Sequence, residues 1–207
     1  MQRKKIILCE GKHDLILLEE LITKFKYNDN EYKLFRQREI AKTNPKKLED
    51  TILFRSLQEK SSTWRLLTKS ESGDKPTLKI FTWCKDLLLN DKIIEKSILW
   101  LDTDLKNLDK LIFDIHNRLK DSFGKQKIVL DREKIKEFGS DYKISLHKVF
   151  VKTIEGKELG TFFLLLISPS LEKIAEKLYP KISKVEEAIK ELSKHKDVQE
   201  IFKKILE

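Results

Sequence analysis

The sequence predicts an α/β fold: a mostly parallel sheet with helices on both faces, followed by a helical segment. Three observations predict it. Two uninterrupted apolar runs, Ile6-Ile7-Leu8-Cys9 and Ile98-Leu99-Trp100-Leu101, stop abruptly at acidic residues. A strand buried on both faces of a parallel sheet reads this way. Each run is followed by apolar residues at helical spacing, so strand and helix alternate along the chain. From Ser170 onward the spacing is helical throughout. The expected division is an α/β domain over 1–168 and a C-terminal helical cap over 169–207.

Element by element, Ile6–Cys9 is the first strand, and Glu10-Gly11 is its turn. Leu15, Leu18, Leu21, Ile22 and Phe25 then fall on one helical face, with Asp14 in the first turn, where a carboxylate favours the positive end of the helix dipole. Tyr32–Phe35 reads as a second strand. Pro45 opens a helix to about Glu59, since proline is tolerated in the first turn. Trp64–Thr68 reads as a strand, and Ser70–Pro76 as a polar loop. Leu78, Phe81, Leu87 and Leu88 suit a helix running to Asn90. Ile98–Leu101 is the next buried strand, ending at Asp102-Thr103-Asp104.

Leu108, Leu111, Ile112, Ile115 and Leu119 then form a helical stripe that Gly124 closes. Ile128–Leu130 and Lys148–Ile154 read as strands. Gly156 and Gly160 punctuate the chain before the apolar stretch Phe162–Ile167. Two helical stripes finish it: Ile182, Val185, Ile189 and Leu192, then Val198, Ile201, Phe202 and Ile205.

Hydrophobic residues make up 40% of the 207, ample for a packed core, and 37% are charged. The formal net charge of +9 favours an acidic partner such as nucleic acid, the alternative being a solvated Lys/Glu surface with no partner. Cys9 and Cys84 form no Cys-x-x-Cys pair and lie in apolar segments, as reduced buried thiols do. No apolar run approaches the length of a membrane span. These features predict a soluble, cytoplasmic protein.

Glu10 and the Asp102–Asp104 pair share one property: each closes a buried strand. In open α/β sheets ligands bind at that edge. If the two strands are neighbours, three carboxylates converge, repel one another and raise one another's pKa. A divalent cation relieves this, and hard oxygen ligands suit Mg²⁺ or Mn²⁺.

The two segments together resemble the Toprim (topoisomerase–primase) domain. Ile6-Ile7-Leu8-Cys9-Glu10-Gly11-Lys12-His13-Asp14 is similar to its first motif, an apolar strand ending in Glu-Gly with an acid three positions on. Leu99-Trp100-Leu101-Asp102-Thr103-Asp104 is similar to its second, a strand ending in Asp-x-Asp. The resemblance implies a Toprim/Rossmann-like sheet and a metal-dependent nuclease or related phosphotransfer activity on nucleic-acid phosphodiesters. Glu10 would serve as general acid or base, Asp102 and Asp104 would hold the metal, and all three belong to the expected catalytic and metal-binding set. Two departures stand out. Leu105-Lys106-Asn107 follows Asp-x-Asp without a glycine, and Leu159-Gly160-Thr161-Phe162-Phe163 lacks a carboxylate expected as a further ligand. The second reading is therefore a non-catalytic nucleic-acid-binding or adaptor protein with a degenerate acidic site.

Other residues carry weaker signals. Asp14 is either an auxiliary ligand or a helix N-terminal carboxylate. His13 reads as a lone exposed histidine. His116, His147 and His195 have no metal-ligand spacing. Lys69 and Lys75 are candidates for a phosphate contact. Trp64, Arg65 and Trp83 are candidates for base stacking, with core packing the better reading of the tryptophans. The lysines from Lys173 to Lys204 alternate with glutamates as a solvated helix face does.

Overall fold

The structure, a computed structural model, describes residues 4–35, 64–71, 73–83, 85, 89, 94–104, 107–139 and 142–206. The helix expected from Pro45 to Glu59 and the Cys84 thiol lie outside the described residues. The chain runs β1 (Lys4–Cys9), α1 (Lys12–Lys24), β2 (Tyr32–Phe35), β3 (Leu66–Ser70), α2 (Asp74–Trp83), β4 (Ile94–Asp102) and α3 (Leu108–Ser122). It continues with β5 (Ile128–Phe138), β6 (Lys143–Thr153), β7 (Glu158–Ser168), α4 (Leu171–Leu178), α5 (Val185–Leu192) and α6 (Lys196–Leu206).

The strands form one sheet in the order β2-β3-β1-β4-β7-β6-β5. The pairs from β2 to β7 are parallel, while β6 and β5 add an antiparallel wing. The sheet is thus mostly parallel but mixed. β1, an interior strand next to the central β4, is buried along its whole length because helices cover both its faces. Alternate residues serve the two layers. Ile7, Cys9, Ile98, Trp100, Leu165 and Ile167 share a core with α1 and α4–α6. Ile6, Leu8, Leu99, Leu101, Leu164 and Leu166 face the core shared with α2 and α3. The C-terminal helices are therefore a layer of the fold: Phe202 of α6 sets its ring 5.1 Å from that of Trp100, edge on.

Several strands differ in extent from the sequence reading. β3 begins and ends two residues later than the apolar pattern, because Thr68, Lys69 and Ser70 are polar yet buried. β5 extends well past Leu130 as an edge strand whose Asp131-Arg132-Glu133-Lys134 run is exposed, the charged composition that blunts an open edge. The loop expected over Ser70–Pro76 is shorter than that, because Ser70 ends β3 and α2 already begins at Asp74; this helix is described to Trp83. Among the described residues no helix is long and apolar enough to cross a membrane.

A candidate acidic site at the centre of the sheet

From β1 the chain moves to β2 and β3 on one side and later returns to β4 on the other, so the direction of strand order reverses between β1 and β4. Such a switch point is where open α/β sheets bind ligands. Glu10 and Asp102 sit at its two lips. The two motif ends meet directly: Glu10 Oε1 accepts a hydrogen bond from the Asp102 backbone N–H at 2.9 Å.

Local structure fixes each lip. The Asp14 carboxylate accepts from the Glu10 and Gly11 N–H groups, both at 3.0 Å, and so closes the turn into α1. Of its two sequence readings, the N-terminal helix carboxylate describes these contacts. The loop after β3 packs over the same turn: Glu71 N donates to Cys9 O at 2.9 Å and Gly73 N to Glu10 O at 2.9 Å. On the β4 side, Thr103 N donates to Ile167 O and Asp104 N to Pro169 O, and the Thr103 hydroxyl reaches Ser168 Oγ at 2.9 Å. Asp104 is exposed and takes a left-handed backbone (φ 45°), a conformation aspartate tolerates better than most residues.

A third strand end contributes an acid that the sequence reading missed. The stretch Leu159–Phe163, which lacks a carboxylate, lies in β7. Gly160 lies at that strand's start, where a side chain would come within 2.6 Å of Leu89 Cβ. The acid follows the strand's C-terminal end instead, as Glu172 in the first turn of α4. His13 is correspondingly no lone exposed histidine: its Nδ1 lies 2.6 Å from Glu172 Oε1, tying α1 to α4.

The electrostatics follow from this crowding. Burial raises the Asp102 carboxyl to about 7; Glu172 and Asp104 add to the rise, against a hydrogen bond from the Leu171 N–H. Burial likewise pushes Asp14 well up, with Asp102 the next cause. Glu172 goes the other way. Burial pushes it up, but hydrogen bonds from His13, its own N–H and Ser170 outweigh that and leave it below the usual glutamate value. Cys9, buried under the same turn, has its thiol pushed well up by burial and then by Asp14 and Glu10.

The donor set is chemically suited to a hard divalent cation, being all carboxylate oxygen. Asp102 Oδ1 is buried with no hydrogen-bond partner. The side chains as placed do not close a cage, however: among the described residues no group of three or more His, Cys, Asp or Glu is arranged to hold a metal ion. Mg²⁺ commonly binds through one or two carboxylates and keeps several waters, so the donor chemistry fits with water completing the shell.

Other candidates separate clearly. Lys69 is buried, 2% exposed, and paired with Glu71 at 3.0 Å, so it is not available to a phosphate. Lys75 is exposed. Trp64 is buried under Lys4, and Arg65 pairs with Glu31 at 3.2 Å. The Trp83 side chain lies outside the described residues. His116 bonds the Ile128 carbonyl at 2.9 Å. Lys184 and Lys194 pair with glutamates on the solvent side of the C-terminal helices, as the alternating pattern predicts.

Comparisons with protein-family models, curated proteins and solved structures find no match for this chain.

Proposed function

We propose that the chain is a metal-dependent nuclease or related phosphotransfer protein that acts on nucleic-acid phosphodiesters through a Toprim-type acidic site. One observation carries the reading: carboxylates following the C-terminal ends of three adjacent parallel strands, Glu10, Asp102 and Glu172, gather at the switch point of the sheet. Asp102 and Asp104, with Glu10, would hold Mg²⁺ or Mn²⁺. When bound, that cation would neutralise a phosphate and stabilise the charge that develops during displacement. The chain's own residues supply the rest. Glu10, fixed by the Asp102 N–H, is the general acid or base. His13, in the first turn of α1 and held through Nδ1 by Glu172, would be a second proton-handling group. The net charge of +9 supports a polyanionic substrate.

The test is cleavage of labelled single- and double-stranded DNA and RNA in Mg²⁺, Mn²⁺ or EDTA. Cutting is expected only with metal, and Asp102→Asn and Glu10→Gln are each expected to lower it by at least about a hundredfold. Nucleic-acid binding without cutting, unchanged in Asp102→Asn, assigns the chain instead to the non-catalytic, adaptor reading.

A further inference from the structure

The antiparallel wing carries a second feature, on the sheet face that α3 covers. Opposed residues of an antiparallel pair point to the same face. Val149 points into the core under α3, and its cross-strand partner is Arg132. By the same register Lys134 lies opposite His147, and Glu137 opposite Ser145. Lys143 lies opposite Ser168. Arg132, Lys134 and Lys143 thus share one face, and all three are exposed. Glu137 shares it too and pairs with Lys134 at 3.2 Å; an exposed pair of this kind contributes little, so a phosphate can take the carboxylate's place on Lys134.

This strip leads to the acidic site. Ser168, beside Lys143, receives the Thr103 hydroxyl, and Asp104 is the next residue. From β4 to β5 is three strand spacings, about 14 Å. Beneath the strip His147 is 3% exposed. Its Nε2 lies 3.0 Å from Ser145 Oγ, while its Nδ1 is buried without a partner. Burial, then Arg132, lowers the His147 pKa to about 4, so near neutral pH the ring is uncharged.

We propose that this face is a track for single-stranded nucleic acid, with phosphates on Arg132, Lys134 and Lys143 and the strand running toward Asp104. The proposal rests on the reading of nucleic acid as partner. Charge complementarity supplies the affinity. The single strand follows from the architecture: β6 pairs with β7 throughout, so β5 and β6 are no free two-stranded arm able to enter a duplex major groove. A flexible strand lies across a sheet face without such an arm.

The experiment is fluorescence anisotropy in EDTA over a salt series, with a labelled homopyrimidine strand and its matching duplex. Arg132→Glu/Lys134→Glu is expected to weaken single-strand binding at least about tenfold and to flatten the log–log salt slope by about 1.4, or about 0.7 per lost contact. Lys143→Gln, a milder change, is expected to flatten it by about 0.7. The control Lys184→Glu/Lys194→Glu makes the same charge change at the two ends of α5 and is expected to leave the slope unchanged. Equal losses in the control, no loss in the ribbon variants, tighter duplex binding or no single-strand binding by wild type each overturn the track. Metal-dependent cutting with undiminished binding by the ribbon variants removes the track and keeps the acidic site. Ribbon-dependent binding without cutting keeps the track and removes the nuclease reading.

Discussion

Burial of Asp102 ties the protein's stability to pH. Its carboxyl titrates at about 7 in the fold against 3.8 in the open. Between those values the native state holds a proton that the unfolded chain has released. Stability is therefore greatest below the unfolded value and declines as pH rises to about 7. The shift corresponds to at most about 4 kcal/mol. Asp14 is displaced in the same direction and adds to the slope. Urea unfolding in metal-free buffer between pH 4 and 8 should show wild type weakening with pH and Asp102→Asn weakening less steeply, the remaining slope being that of the buried Asp14; a wild-type profile that rises would contradict the placement of Asp102. Glu10 and Asp102 were legible in the sequence because each closes an apolar run, a purely local signal. Glu172 was not, since an acid after a serine cap is also the ordinary mark of a helix's first turn. Only the packing of α1 against α4 joins it to His13.

The elements were legible to the degree that apolar periodicity tracked burial. β1, β4 and α3 obey that rule, and the sequence located them. β3 breaks it. Its last residues are polar but buried, because Lys69 and Glu71 neutralise one another out of water. Such a pair is costly to halve. Lys69→Met is expected to destabilise the fold by about 3–5 kcal/mol by leaving Glu71 buried and unpaired, while Lys69→Met/Glu71→Leu should recover most of it. Guanidinium denaturation of the two variants measures this, and equal losses in both would show that an unpaired Glu71 is not what destabilises the single variant. β5 breaks the rule in the opposite sense: it is a strand by pairing with β6, yet its exposed charges leave no alternation to read.

At the scale of the whole molecule, the sequence marked a change of pattern near residue 168 but could not say that the helices beyond it complete a layer. Val198, Ile201, Phe202, Ile205 and Leu206 of α6 are all buried. At about 1.5–3 kcal/mol for each large side chain, their burial rivals the net stability of a typical domain, about 5–15 kcal/mol. Truncation after His195 should therefore abolish cooperative unfolding and near-ultraviolet dichroism; a truncated chain that melts sharply would make α6 an appendage. Lys5 and Lys96 reinforce this closure by donating to the Leu206 and Lys204 carbonyls at the end of α6.

The order of the central strands also governs when the site can exist during folding. β1, β4 and β7 are neighbours in space but distant in sequence, with Ile7 beside Ile98 and Leu99 beside Leu164. Contacts of this kind close large loops and form slowly compared with the local β5–β6 and β6–β7 hairpins. A nascent chain that has made Asp102 but not yet β7 lacks Glu172 and the carbonyls that anchor Thr103 and Asp104. Assembly of the carboxylates therefore waits on β7 and α4, and a half-made chain cannot carry out the proposed chemistry.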